Sequence, residues 1–140
     1  MASPGVPVLR QVVLDTTDVR GLAEFYRQLF DLQYRPGDEP PAPGEPDPRG
    51  RDWLVLGNPA GVGLAFQQVD ELPRATWPVG GHPQQLHLDT TVSSIAELDA
   101  ASARALALGA ELLLDRSGDP EEPLRVYADP AGHPFCVFVA

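Results

Sequence analysis

Tyr127-Ala128-Asp129-Pro130-Ala131-Gly132-His133-Pro134-Phe135-Cys136 is the stretch on which the fold turns. A proline in second place presets φ, and a glycine in fourth place accepts φ > 0, so Asp129 to Gly132 reads as a tight turn. The β-branched and aromatic runs on either side, Leu124 to Ala128 and Phe135 to Val139, read as the strands it joins. The same device stands earlier in the chain. Asn58-Pro59-Ala60-Gly61 joins Trp53–Leu56 to Gly63–Val69, and this turn begins 71 residues before the other (129 − 58).

The segments ahead of the two hairpins repeat as well. Val8 to Asp15 reads as a strand, and Asp18 as an N-cap whose carboxylate serves free helix amides. Val19, Leu22, Tyr26, Leu29 and Phe30 then recur at helical spacing, with Phe25 beside them, until the helix stops near Asp31. In the second half Gln85 to Thr91 reads as a strand. Ser94 with Glu97 forms a capping box. Ile95, Leu98, Ser102, Ala105 and Leu106 are expected to face inward, Gly109 to close the helix, and Glu111 to Leu114 to form the next strand. The first strands align in two ways. Leu14-Asp15-Thr16-Thr17 echoes Leu88-Asp89-Thr90-Thr91, while anchoring on the helix starts sets Gln11 against His87, 76 residues apart (87 − 11). The two alignments differ by two residues, so both keep the same strand face. Residues 35–50, crowded with proline, glycine and acid, are expected to form an exposed loop, an insertion or else a lid.

Twenty acidic residues face ten basic ones, for a net charge of −10. A duplex-binding surface needs clustered cations, so nucleic acid and anionic membrane are excluded as partners. All ten basic residues are arginines. Without lysine there is no Schiff-base chemistry and no phosphate-loop amine. The single Cys136 rules out an intrachain disulfide and a paired-cysteine metal or redox site. Met1-Ala2-Ser3-Pro4-Gly5 has no leader pattern, and no apolar run approaches the roughly 18–20 residues of a membrane span. A cytoplasmic location is the expectation. No Gly-x-Ser-x-Gly elbow or GxGxxG fingerprint supports hydrolase or dinucleotide chemistry.

A strand, a helix carrying Leu22-Ala23-Glu24-Phe25-Tyr26, and strands closing on Asp-Pro-x-Gly, done twice, resemble the vicinal oxygen chelate superfamily. That group holds glyoxalase I, the fosfomycin and bleomycin resistance proteins and the extradiol dioxygenases. The glyoxalase-like domains of actinobacteria are the nearest in pattern. The resemblance is carried by Val12-Val13-Leu14-Asp15, Leu64-Ala65-Phe66-Gln67, Gln84-Gln85-Leu86-His87-Leu88-Asp89 and the stretch quoted at the outset. It implies an α+β fold in one domain over residues 1–140. Two tandem βαβββ modules, at about 6–70 and about 83–140, would form a curled, barrel-like mixed sheet with flanking helices. It also implies a small-molecule ligand in a cup between the modules, lyase, isomerase or dioxygenase-type chemistry or else drug sequestration without chemistry, and a homodimer.

In metal-dependent members of the superfamily the ligands come from the first and last strands of each module. Carried over by position, they fall on Gln11, Ala65, His87 and Cys136, the second and fourth lying six residues after Pro59 and Pro130. Alanine cannot ligate, which leaves Gln11, His87 and Cys136 as an incomplete set for a divalent metal. His87 and Asp89 share a strand face. They form either a metal half-site or, without metal, an acid–base pair in which the carboxylate fixes the imidazole tautomer. A structural pair satisfying itself is the competing reading. Gln11, Asp15, Trp53, Phe66 and Trp77 are candidate ligand contacts, with core packing the alternative for Trp53 and Phe66. His82 and His133 are expected in solvated loops, and Arg10, Arg51 and Arg125 on the surface.

Overall fold

In the computed structural model, which describes residues 4–140, two four-stranded sheets share one plan. In the first module β1 (Gln11–Thr16) leads to α1 (Val19–Phe30), then β2 (Gln33–Tyr34), β3 (Trp53–Gly57) and β4 (Gly63–Gln68). In the second, β5 (Leu88–Val92) leads to α2 (Ile95–Ala107), then β6 (Glu111–Arg116), β7 (Leu124–Ala128) and β8 (Pro134–Val139). The strand orders are β1-β4-β3-β2 and β5-β8-β7-β6, each with one parallel pair, β1·β4 or β5·β8, and otherwise antiparallel. The α+β class and the doubled module hold as expected. The two sheets curl but do not close into one hydrogen-bonded barrel. The leader reading at Met1, Ala2 and Ser3 lies outside the described residues.

Register decides between the two alignments of the halves. Val13 pairs with Ala65 and Asp89 with Cys136, so the offset is 76 on the first strand (89 − 13) and 71 on the last (136 − 65). The N-caps Asp18 and Ser94 are also 76 apart (94 − 18). The echo between Leu14-Asp15 and Leu88-Asp89 is therefore coincidence of letters.

Both helices start as their caps dictate. The Asp18 carboxylate accepts from the Gly21 amide at 3.0 Å, and Ser94 Oγ from the Glu97 amide at 3.1 Å. The reciprocal arm of the second cap reaches one residue further than a capping box does, with the Ser93 amide donating to Glu97 Oε2 at 2.7 Å. Helix α1 ends on Asp31 in the left-handed region (φ 53°), and Gly109 takes φ 111° just after α2. The inward face of α2 is narrower than expected. Leu98 and Ala105 are fully buried, with Ala101 and Leu108 packed beside them, while Ile95 and Leu106 are nearly half-exposed on its flanks.

One core unites the modules. Leu14, Leu22, Tyr26, Leu54 and Phe66 from the first meet Leu98, Tyr127, Phe135 and Val137 from the second. The Tyr26 ring stacks on Phe66 at 6.0 Å and meets Phe135 edge-on at 6.1 Å. At its tip, the Tyr26 hydroxyl donates to Asp129 Oδ2 at 2.6 Å. Asp129 is fully buried, and its Oδ1 accepts from the Ala131 and His133 amides at 2.8 and 3.0 Å. Burial pushes both the Tyr26 hydroxyl and the Asp129 carboxyl up from their ordinary pKa values. The two motif segments that carry the resemblance thus touch each other and lock the halves together.

The loop over 35–50 is exposed, as expected, and is pinned by ion pairs. Asp38 is fully buried and accepts from Arg49 at 2.7 Å, from Arg35 at 3.3 Å and from the Val55 amide at 2.9 Å. Arg20 on α1 holds Asp47 at 2.8 Å and the Asp38 carbonyl at 2.6 Å. Burial alone would raise the Asp38 carboxyl, but bonds from Arg49, the Val55 amide and Arg35 outweigh it and hold it below the ordinary carboxylate range. A depressed carboxyl stabilises the fold above its unfolded value near pH 4, and that stability is lost as pH falls through the folded value. Replacing Asp38 by Asn is expected to cost roughly 2 kcal/mol, less than a fully buried pair because both arginines are half-exposed. Denaturant titrations at pH 7 and pH 3 measure it, and the gap between variant and parent should shrink at the lower pH.

Candidate functional site

Strand alternation sends Leu88, Thr90 and Val92 toward the helix side of the second sheet, and Asp89 and Thr91 to the open side. His87 stands one residue before β5, outside the strand expected to hold it, and continues the same face. On β8, Phe135 and Val137 enter the core while Cys136 and Phe138 face the other way. On β7, Val126 and Leu124 do the same opposite Tyr127. The open face therefore forms a cup of about 320 Å³. Leu114, Leu124, Val126 and Phe138 make its apolar surface, and His87, Asp89, Cys136 and Gln84 a polar patch. Arg116, Glu122 and Trp77 complete it. Its size is at the low end for a small-ligand pocket, and its few convergent polar groups are what such a pocket requires.

Asp89 is the hub of the polar patch. Its Oδ1 lies 3.2 Å from His87 Nε2 and accepts from the Cys136 thiol at 2.7 Å. Register makes the second contact, because Asp89 and Cys136 are partners across the parallel β5·β8 pair. Thr90 fixes the same spot by donating to the Cys136 carbonyl at 2.8 Å. Burial pushes the Cys136 thiol up to about 12, reinforced by the Asp89 carboxylate. At neutral pH it is a protonated donor to Asp89 rather than a thiolate nucleophile. His87 and Asp89 keep 49% and 59% of their side-chain surface exposed, and so exposed a pair contributes little to stability.

Trp77 reaches the cup from the connection between the modules. Thr76 staples that connection, its amide donating to the His82 carbonyl at 2.8 Å and its hydroxyl accepting from the His82 amide at 3.0 Å. His82 is exposed, as expected. His133 is only partly exposed. Its Nε2–H donates to the Asp15 carbonyl at 2.6 Å, tying the second turn to β1.

The other candidates do not join this patch. The Asp15 residue lines a separate cavity of about 210 Å³, with Val13, the connection and His133 around it. Gln11 sits in the first sheet opposite Gly63, and neither it nor Trp53 lines any of the three main cavities. Phe66 is core: it is fully buried against Tyr26, because its strand parity matches Leu64 and Leu14 rather than Ala65. Arg125 is held by Asp99 at 2.9 Å and Asp115 at 3.3 Å. The cup is lined by the second module and the connection, whereas a cup between the modules was expected. Leu114, Arg116, Glu122, Leu124, Val126 and Phe138 went unnoticed in the sequence. Counting by twos from Cys136 would have found Phe138.

The carried-over metal set does not fit a metal. Ala65 has no donor atom, Gln11 does not line the cup that holds His87 and Cys136, and the Cys136 thiol donates to Asp89. His87, Asp89 and Cys136 do meet, but through one carboxylate oxygen already engaged by both neighbours. Among the described residues no group of three or more His, Cys, Asp or Glu is arranged to hold a metal ion. In the first module the places of His87, Asp89 and Cys136 are taken by Gln11, Val13 and Ala65, so the polar patch is not duplicated.

Comparison with known proteins gives a consistent picture. Residues 11–138 match a family model described as a glyoxalase-like domain. A glyoxalase/bleomycin resistance protein/dioxygenase family enzyme from Burkholderia phytofirmans superposes with a TM-score of 0.69 at 18% identity, over 95% of this chain and 98% of its own. The fosfomycin resistance protein FosX of Listeria monocytogenes gives 0.68 at 18% identity, over 96% and 94%. Lactoylglutathione lyase from Agrobacterium tumefaciens gives 0.59 at 20% identity, over 99% and 96%. At these identities the likeness speaks to the fold. No curated protein matches the chain. Among the described residues no helix is long and apolar enough to cross a membrane.

Proposed function

The chain belongs to the glyoxalase-like domain family, and from that membership we propose that it binds a small organic metabolite in the second-module cup, where His87 and Asp89 hold and move a proton. The observation that carries this reading is the His87 Nε2–Asp89 Oδ1 contact of 3.2 Å at one end of an apolar cavity. A carboxylate on one imidazole nitrogen leaves the other free to meet a substrate proton, as in abstraction next to a carbonyl during lyase or isomerase chemistry. So exposed a pair adds little to folding, so its removal can be read on the proton step without unfolding the chain.

Solvent deuterium exchange into a panel of α-hydroxy ketones and thiol hemiacetals, followed by proton NMR, tests the proton step. His87→Gln should slow exchange by about 10²–10⁴-fold and leave unfolding free energy within about 0.5 kcal/mol of the parent. Equal exchange in parent and variant would leave only the second reading, sequestration of a drug or natural product without chemistry. The missing donors at Ala65 and the protonated Cys136 favour that alternative.

The setting we propose is a homodimer in a reducing cytoplasm. The free edge of β1 and the exposed Val6, Val8 and Leu9 just ahead of it support the dimer. Light scattering should give twice the 15.1 kDa chain mass, and Val8→Asp should lower it toward one.

A further inference from the structure

The cup's charges are unbalanced in one direction. Asp89 and Glu122 line it, and among the described residues the only arginine or lysine lining it is Arg116. Arg116 is already paired, 3.4 Å from Asp119. Arg125 on β7, opposite Asp115, is spent on Asp99 and Asp115 and does not line the cup. An anionic ligand would therefore meet the Asp89 and Glu122 carboxylates, while Arg116 and His87, the groups that could offset its charge, are each already paired with a carboxylate. A cationic donor finds the opposite. Asp89 Oδ1 is taken by His87 and Cys136, while Oδ2 accepts no bond among the described residues. Trp77 and Phe138 add aromatic faces to which an ammonium is attracted. The remaining wall, Leu114, Leu124 and Val126, suits an apolar body.

Resting on the proposal that this cup is the binding site, we infer that it selects a small apolar or aromatic amine, whose ammonium group pairs with Asp89, and rejects carboxylates and phosphonates of the same shape. Neutral alcohols bind between the two, since they offer a donor without the charge.

Trp77 fluorescence reads the outcome in a Trp53→Phe background, Trp53 being remote from the cup. 3-Phenylpropylamine, 3-phenylpropan-1-ol and 3-phenylpropanoate serve as probes of nearly one shape, titrated at pH 7 in low and high salt. The amine is expected to bind about tenfold more tightly than the propanoate, a gap that narrows as salt screens the half-exposed carboxylates. Asp89→Asn, checked for folding by circular dichroism, should abolish the amine's advantage while the alcohol, whose hydroxyl the Asn carbonyl oxygen can still accept, loses far less than the amine. Propanoate binding as tightly as the amine, or an advantage that survives Asp89→Asn, overturns the charge selection and leaves the cup as the binding site. If none of the three probes changes Trp77 emission, the binding site itself is wrongly placed and the selection falls with it.

Discussion

Asp129→Ala is expected to destabilise the protein by roughly 4 kcal/mol, lowering the unfolding midpoint by about 10 °C. The substitution removes the acceptor of the Tyr26 hydroxyl and of the Ala131 and His133 amides, and it leaves that hydroxyl buried without a partner. Each orphaned buried polar group costs about 1–3 kcal/mol. Asp129→Asn should be far milder. The first module already carries Asn58 at the equivalent turn position (129 − 71), where its Oδ1 accepts from the Ala60 amide at 3.0 Å as Asp129 accepts from Ala131. The sign with pH is opposite to that of Asp38. Because burial raises the Asp129 carboxyl, its contribution is full below the unfolded value near pH 4 and is lost as pH rises through the folded value. The Asn variant should therefore gain on the parent as the solution becomes more alkaline. Differential scanning calorimetry across pH 4 to 8 measures both effects, and a loss below about 1 kcal/mol for the Ala variant would mean the inter-module bond is not made in solution.

Phe66→Ala should cost about 3–5 kcal/mol, the range for emptying a packed aromatic site. The ring is fully buried and stacked on Tyr26, on the helix side of β4. If that placement holds, the variant at a temperature where it stays folded will bind cup probes as the parent does. Chemical denaturation and Trp77 titration on the same preparation separate the two effects. Lost affinity with unchanged stability would return Phe66 to the ligand site.

Elements with strong local signals were legible in the sequence. The two Pro-x-Gly turns and the Asp18 and Ser94 caps needed only backbone sterics and unsatisfied amides to be read, and they locate both hairpins and both helices. Other features depend on contacts far apart in the chain. The strand β2 is two residues long and has no periodicity to detect; the Tyr34 hydroxyl anchors it by donating to Glu24 at 2.7 Å. At Leu64-Ala65-Phe66 ligand contact and core packing both stayed open for Phe66, because a strand apolar on both sides shows no alternation. The proline-rich loop is exposed as expected, but what pins it was not legible, because its ion pairs join Arg20 to Asp47 and Arg49 to Asp38, separations no local pattern reveals.

At the site, residue chemistry was legible and assembly was only partly so. His87, Asp89, Cys136 and Trp77 meet in one cup, while Gln11, Asp15 and Trp53 lie elsewhere. Tyr26 and Asp129, whose motif letters carry part of the family resemblance, form the joint between the modules.

The central claim is that one face of one sheet, and not its counterpart, receives the ligand. Amide chemical-shift mapping with neutral 3-phenylpropan-1-ol tests it without involving charge. Shifts should gather at Gln84 to Asp89, Leu114, Arg116, Leu124, Val126 and Cys136 to Phe138. Shifts centred on Val13, Val55 and Ala65 in the first sheet, or none at saturating probe, would contradict it.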